Sequence, residues 1–364
     1  MTVCLGRTFG AVVVAASVGG VALAWPGCGG STRAEGAPGS IPNETAAHLV
    51  QRERLSMGSI LRLTAWTADD AAANSVFDAV FDEFNRLEGL MSTWRETSDI
   101  ERLNRAAGDH PVQVDREVRE VLRIAHQVSE WTDGRFDITF GAIADLWKFD
   151  HDQDNTVPDP AEVRKRLPLI DYRAVVVDEQ AGTAFLKRKG MRAHLGGIGK
   201  GYAIDRAVEI FHRRGLQDFM IQAGGDLYVG GQRGGRPWRL GIQDPRGPAN
   251  QSFATVDLSN STFSTSGDYE RFFFKNGRRY HHILDLRRGE PAMLCRSVTL
   301  ISDRAVIADA LAKGVFILGP VEGLALIERT PGVQGVIVSA KNEVLVSAGL
   351  KDRLTMVAPP TDAP

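Results

Sequence analysis

Cysteine is scarce: only Cys4, Cys28 and Cys295 occur in 364 residues. That is too few for a disulfide framework, and a chain of this length can bury a core that needs no staples. An excess of charge of either sign is also missing, with 43 Lys and Arg against 45 Asp and Glu, a net charge of −2 and a pI near 6.5. The arginines are scattered among acids instead of forming a block, so nothing points to nucleic acid. No internal repeat is visible, and strand-like and helix-like runs alternate without a sustained βαβ pattern. That argues against a doubly wound fold and for an α+β fold with a mixed, largely antiparallel sheet. Hydrophobic content of 43% and charged content of 24% are those of an ordinary globular chain.

Long apolar runs are absent except at the N-terminus, where Phe9 to Trp25 carries no charged side chain and follows the single cation Arg7. The segment reads as an export signal over residues 1–28, and an uncleaved anchor is the competing reading. Two processing sites compete as well. Ala22-Leu23-Ala24 has the small-x-small pattern of ordinary cleavage, and Cys28 after Gly27 suits a lipoprotein cysteine. Residues 29–48, rich in Gly, Ser, Pro and Ala, read as a flexible tether. The folded domain is expected over 49–358 and a short tail over 359–364.

Within that domain, alternation from Ser59 to Trp66 predicts a strand, and acids at Asp69 and Asp70 open a helix. Its apolar stripe is Val76, Phe77, Val80, Phe81, Phe84 and Leu87. Further helices are expected over 115–131, 200–215, 304–317 and 321–328. Strands are expected at 238–243, 253–258, 272–275 and 279–284, with two more near the C-terminus.

The run "HLGGIGKGYAID", His194 to Asp205, packs four glycines into six residues just before a helix. A Walker loop would need Gly at position 194 and Ser or Thr at 201, where His194 and Gly201 stand. The dinucleotide fingerprint fails at Tyr202. What remains is a tight strand-to-helix turn, with or without an anion on the exposed N–H groups.

Six other polar-rich stretches fall where turns are expected: 90–104, 133–149, 223–231, 264–273, 281–292 and 302–319. "GGIGKGYAID", "SGDYER" and the His282-x-x-Asp285 spacing, in this order, resemble the FAD:protein FMN transferase (ApbE-type) family from about residue 50 to 357. The resemblance implies a T-fold-like α+β architecture, FAD as substrate and Mg²⁺ as cofactor. It also implies an acceptor flavoprotein with an FMN-binding domain, belonging to a membrane redox system. By motif, Met57, Trp94, Arg135, Phe136, Asp137, Lys200 and Ile283 correspond to flavin-nucleotide contacts, and His194 stands where an Asp usually makes one. Gly197 and Asp309 correspond to metal ligands, and His282 to the general base, with Asp285 beside it in the motif. If 281–284 is a strand, His281 and His282 face opposite ways and only one can enter the site.

Two departures stand out. His194 replaces the usual Asp, and Lys313 replaces a hydroxyl residue four positions after the metal carboxylate, one helical turn away on the same face. An ammonium cannot ligate a metal. Either Lys313 turns outward and water takes the hydroxyl's place, or the metal is weakened and the ammonium fills part of its role. The departures also keep open an FAD-binding protein without transfer. Water in place of the acceptor hydroxyl would instead give FMN and AMP. Neither the export signal nor any membrane attachment bears on these alternatives; export places the protein on the periplasmic side of the inner membrane or at the cell surface.

Overall fold

The computed structural model describes residues 46–150 and 152–363. The export signal, Cys28 and nearly all of the expected tether lie outside these residues, and His48 already belongs to the first strand. The described α-helices are α1 (Asp70–Met91), α2 (Asp99–Arg105), α3 (Arg116–Trp131), α4 (Gly141–Ala144), α5 (Pro160–Arg166), α6 (Gly199–Arg213), α7 (Ala305–Leu318) and α8 (Pro320–Arg329). None is long and apolar enough to cross a membrane.

An eight-stranded sheet organises the molecule. Its strands run, from one edge to the other, His48–Ser56, Ser59–Thr67, Phe219–Ala223, Asp226–Gly230, Ser261–Gly267, Cys295–Ser302, Gln334–Ser339 and Val344–Val346. Every pairing is antiparallel, in line with the expected largely antiparallel α+β fold. Hairpins account for much of this order: Met57 and Gly58 turn one at positive φ, and Gly224 with Gly225 turn another.

The expected stripe of α1 is buried throughout, with Phe77, Val80, Phe84 and Leu87 fully inside. Each such side chain contributes about 1.5–3 kcal/mol of transfer free energy. Asp69 caps the helix by accepting the N–H of Ala72 at 2.8 Å. α7 is apolar apart from Asp309 and Lys313 because it lies between α6, α3, α8 and the sheet. The opposite face of the sheet is covered by a second sheet made of Leu354–Met356, Ser252–Leu258 and Trp238–Gln243, with its own apolar core.

One expectation needs correction. The strand expected over 279–284 ends at His281 and resumes only as Leu284–Asp285, paired with Glu290–Pro291. The expected tail is held down: Thr361 donates its N–H and hydroxyl to Asp244 Oδ2 at 2.9 and 2.6 Å, and Asn342 donates to the Pro360 carbonyl at 2.8 Å.

Candidate active site

The glycine-rich turn delivers the chain into α6 against α7. Gly201 is required by close approach: a Cβ there would lie 2.4 Å from the Ala305 carbonyl oxygen and 2.7 Å from Asp309 Cβ. This contact lets the Gly201 N–H donate to Asp309 Oδ2 at 2.9 Å. Asp309, fully buried on α7, therefore caps the N-terminus of α6 from a neighbouring helix.

The other oxygen of Asp309 accepts from Lys313. The Lys313 ammonium bonds Asp309 Oδ1 and, at 2.9 Å, the Asp309 carbonyl oxygen. Its stem lies over the turn, where a Cβ on Gly197 would stand 3.6–3.7 Å from Lys313 Cδ and Cε and 3.3 Å from the Phe136 ring. Lys313 thus points inward, against the first of the two alternatives. A second pair sits close by. Lys200, in the first turn of α6, bonds Asp226 Oδ2, and Ser264 donates to Asp226 Oδ1. Burial works against the Lys200 charge, but the Asp226 and Asp309 carboxylates outweigh it and hold the pKa above its ordinary value. Burial likewise opposes the Asp226 charge, and the Lys200 and Lys313 ammoniums overcome it and keep the carboxyl below its usual range.

His281 and His282 part company here. His281 is buried and donates from Nε2 to the Ala292 carbonyl at 2.7 Å, while Nδ1 accepts the Ile283 N–H at 3.3 Å. Both nitrogens are used. His282 is half-buried, and its Nδ1 meets only the Arg271 carbonyl, at 3.4 Å. A carbonyl cannot donate, so Nδ1 carries the proton and Nε2 the lone pair. Nε2 has no hydrogen-bond partner among the described residues. Burial, and after it the Arg271, His281 and Lys313 charges, push the His282 pKa well below its ordinary value. Asp285, expected beside His282, is used otherwise: its Oδ1 accepts the Arg287 N–H at 3.1 Å and its carbonyl closes the turn to Gly289.

The remaining expected residues divide. Phe136 is buried behind the glycine turn, and Ile283 is buried beside His282. Met57 is half-buried at a positive φ of 46°, a conformation uncommon outside glycine. Arg135 has a buried Nε without a partner. Trp94 stands 65% exposed in the loop after α1. Asp137 departs from expectation: its carboxylate accepts the Thr139 N–H at 2.8 Å, the Thr139 hydroxyl at 2.7 Å and the Tyr172 N–H at 2.8 Å, so it organises its own loop. His194 is half-buried, its ring 5.1 Å from Phe140, and Nδ1 accepts the Gly196 N–H at 3.0 Å. Burial, assisted by Arg271 and Arg192 against Asp150, lowers its pKa to about 4, so it remains neutral near pH 7. Asp226 and Ser264 were not singled out from sequence. The available signal was a carboxylate opening the short apolar run of the second strand of a fully buried hairpin, which demands a partner.

Two ammoniums at a helix N-terminus and a neutral imidazole with an open nitrogen define a class: an α+β protein with a site suited to a phosphate-bearing ligand next to a general base. A model of the ApbE family matches residues 57–337, and the chain belongs to that family. An FAD:protein FMN transferase of Treponema pallidum is 32% identical over 337 residues, 88% of this chain and 92% of its own length. One from Klebsiella pneumoniae is 31% identical over 293 residues, 80% of this chain and 90% of its own. The crystal structure of the ApbE protein of Thermotoga maritima, 30% identical, superposes with a TM-score of 0.78 over 84% of this chain and 99% of its own.

Mg²⁺, which the resemblance implies, does not fit the donor set. Both oxygens of Asp309 already accept bonds from the protein, one of them from an ammonium. A divalent ion about 4 Å from that ammonium would meet a repulsion of about 8 kcal/mol at an effective dielectric near 20.

Proposed function

We propose that this chain is an FAD:protein FMN transferase acting on a hydroxyl of an acceptor flavoprotein. The observation that carries the reading is the free Nε2 of His282, in a neutral ring that feels the charge of the part-buried Lys313 ammonium. The acceptor Ser or Thr oxygen forms a bond to the phosphorus on the FMN side of FAD, and its proton passes to His282 Nε2. The bridging P–O bond of the pyrophosphate breaks, and AMP leaves with the electron pair. The ammoniums of Lys200 and Lys313 face the charge that develops on the phosphate oxygens. Met57, Trp94, Arg135, Phe136 and Ile283 are assigned to the flavin nucleotide.

In this reading Mg²⁺ is at most weakly held, because the carboxylate expected to ligate it already carries an ammonium. The apolar N-terminal run supports export, with a lipid on Cys28 as the anchor, and an acceptor in a membrane redox system suits that location. The test is incubation with FAD and an FMN-binding-domain acceptor, followed by intact mass. An acceptor heavier by FMN less one water supports transfer. FMN and AMP in solution with an unmodified acceptor would favour hydrolysis.

A further inference from the structure

Resting on the transferase reading, we propose that the Lys313 ammonium is the resident cation of this site, backed by Lys200, and that the protein handles the FAD pyrophosphate without a divalent metal. The argument starts from the carboxylates. Asp226 and Asp309 are 2% and 0% exposed, and buried charges of this kind need compensation. Lys200 and Lys313 supply it one for one. All four carboxylate oxygens accept from the protein: Asp226 from Ser264 and Lys200, Asp309 from Gly201 and Lys313. The cluster is neutral as it stands, and an added ion would have to displace an ammonium from a carboxylate to find a ligand.

The ammoniums have capacity to spare. Each has three donors. Lys313 uses two on the carboxylate and carbonyl of Asp309, and Lys200 two on Asp226 and, at 3.5 Å, the Ala223 carbonyl. One N–H on each is left for a phosphate oxygen. Both groups also border glycine turns that keep side chains away. Lys313 lies along Gly197, and a Cβ on Gly224 would come 3.7 Å from Lys200 Nζ. The charges of both ammoniums act on Asp226, so the two fixed cations belong to one cluster. A tethered ammonium gives positive charge at the phosphates with no entropy lost in recruiting an ion from solution.

The test titrates Mn²⁺, an oxygen-preferring ion visible by electron paramagnetic resonance, into the full chain with FAD bound, and separately measures flavin transfer after EDTA treatment. The expected result is Mn²⁺ uptake no stronger than that of FAD alone, with transfer unchanged by EDTA. In Lys313→Thr the freed carboxylate should tighten Mn²⁺ binding about tenfold or more, and transfer should come to depend on added Mg²⁺. Lys313→Met keeps the length of the side chain and serves in its place if the threonine variant does not fold. Tight Mn²⁺ binding by the unaltered protein, transfer abolished by EDTA and restored by Mg²⁺, or uptake unchanged in the folded variant would each overturn the proposal. Weak Mn²⁺ uptake without any transfer would support Lys313 as resident cation while counting against the transferase reading, so the two failures are distinguishable.

Discussion

The imidazoles of His281 and His282 are adjacent in sequence but differ in what their nitrogens touch. His281 is tied at both nitrogens, whereas His282 keeps Nε2 open. His282→Ala should therefore lower flavin transfer by about 10²–10⁴-fold with little change in FAD affinity, measured by single-turnover transfer and calorimetry. His281→Ala should act chiefly on stability. Because the His282 pKa lies well below 6.5, its base form is present throughout the neutral range, so the transfer rate should be flat from about pH 6.5 to 8 and fall only in acid. A decline centred near pH 6.5 would contradict this. His194 gives a linked effect on stability. Its folded pKa is about 4 against 6.5 unfolded, so the unfolded chain binds more protons between those values. Its share of stability is complete above pH 6.5 and is lost as pH falls through about 4, and His194→Asn should flatten that part of the stability–pH curve in urea titrations.

At the scale of elements, α6 and α7 are joined by two reciprocal contacts. Asp309 on α7 caps α6 through Gly201, and Asp205 on α6 caps α7 by accepting the N–H groups of Ala305 at 2.7 Å and Val306 at 3.2 Å. Asp205→Ala should cost about 0.5–2 kcal/mol of stability, the usual range for a lost cap, read from urea midpoints at constant slope. Burial raises the Asp205 pKa to about 6, so its contribution has the opposite pH sign from that of His194: full below pH 3.8 and lost as pH rises through about 6. Gly201→Ala should be worse than its size suggests. Its methyl would meet backbone on α7, so we expect a loss of about 1–3 kcal/mol together with displacement of the Lys313–Asp309 pair. A protein of unaltered melting temperature would show that the two helices can separate freely.

At the scale of the whole molecule, one antiparallel sheet separates two apolar cores, and the site gathers where α6, α7 and the loop at 281–283 meet. Gly201 of α6 and Asp309 of α7 are 108 residues apart in the chain, so the site exists only when the sheet is complete. The N-terminal run has a separate consequence that concerns location. Cys28→Ala should release a lipid-anchored protein from the membrane fraction, whereas a mature chain beginning at Trp25 would show cleavage after Ala24. Retention inside the cell would defeat the export reading.

The sequence by itself determined the family and the main elements, because both are local. Helical spacing from Val76 to Leu87, the Asp69 cap and the glycine run before α6 are readable along the chain, and each appears where expected. It also marked Lys313 as out of place. It did not decide where Lys313 points, which of two histidines is open, or that Asp137 and Asp285 serve turns. Those outcomes depend on which group from another element reaches a side chain first. Asp226 shows the reason most plainly: its oxygens are claimed by Ser264, 38 residues on, and by Lys200, 26 residues back. Long-range pairing of buried charge is fixed by desolvation in the folded state, and only the tertiary structure brings those partners together.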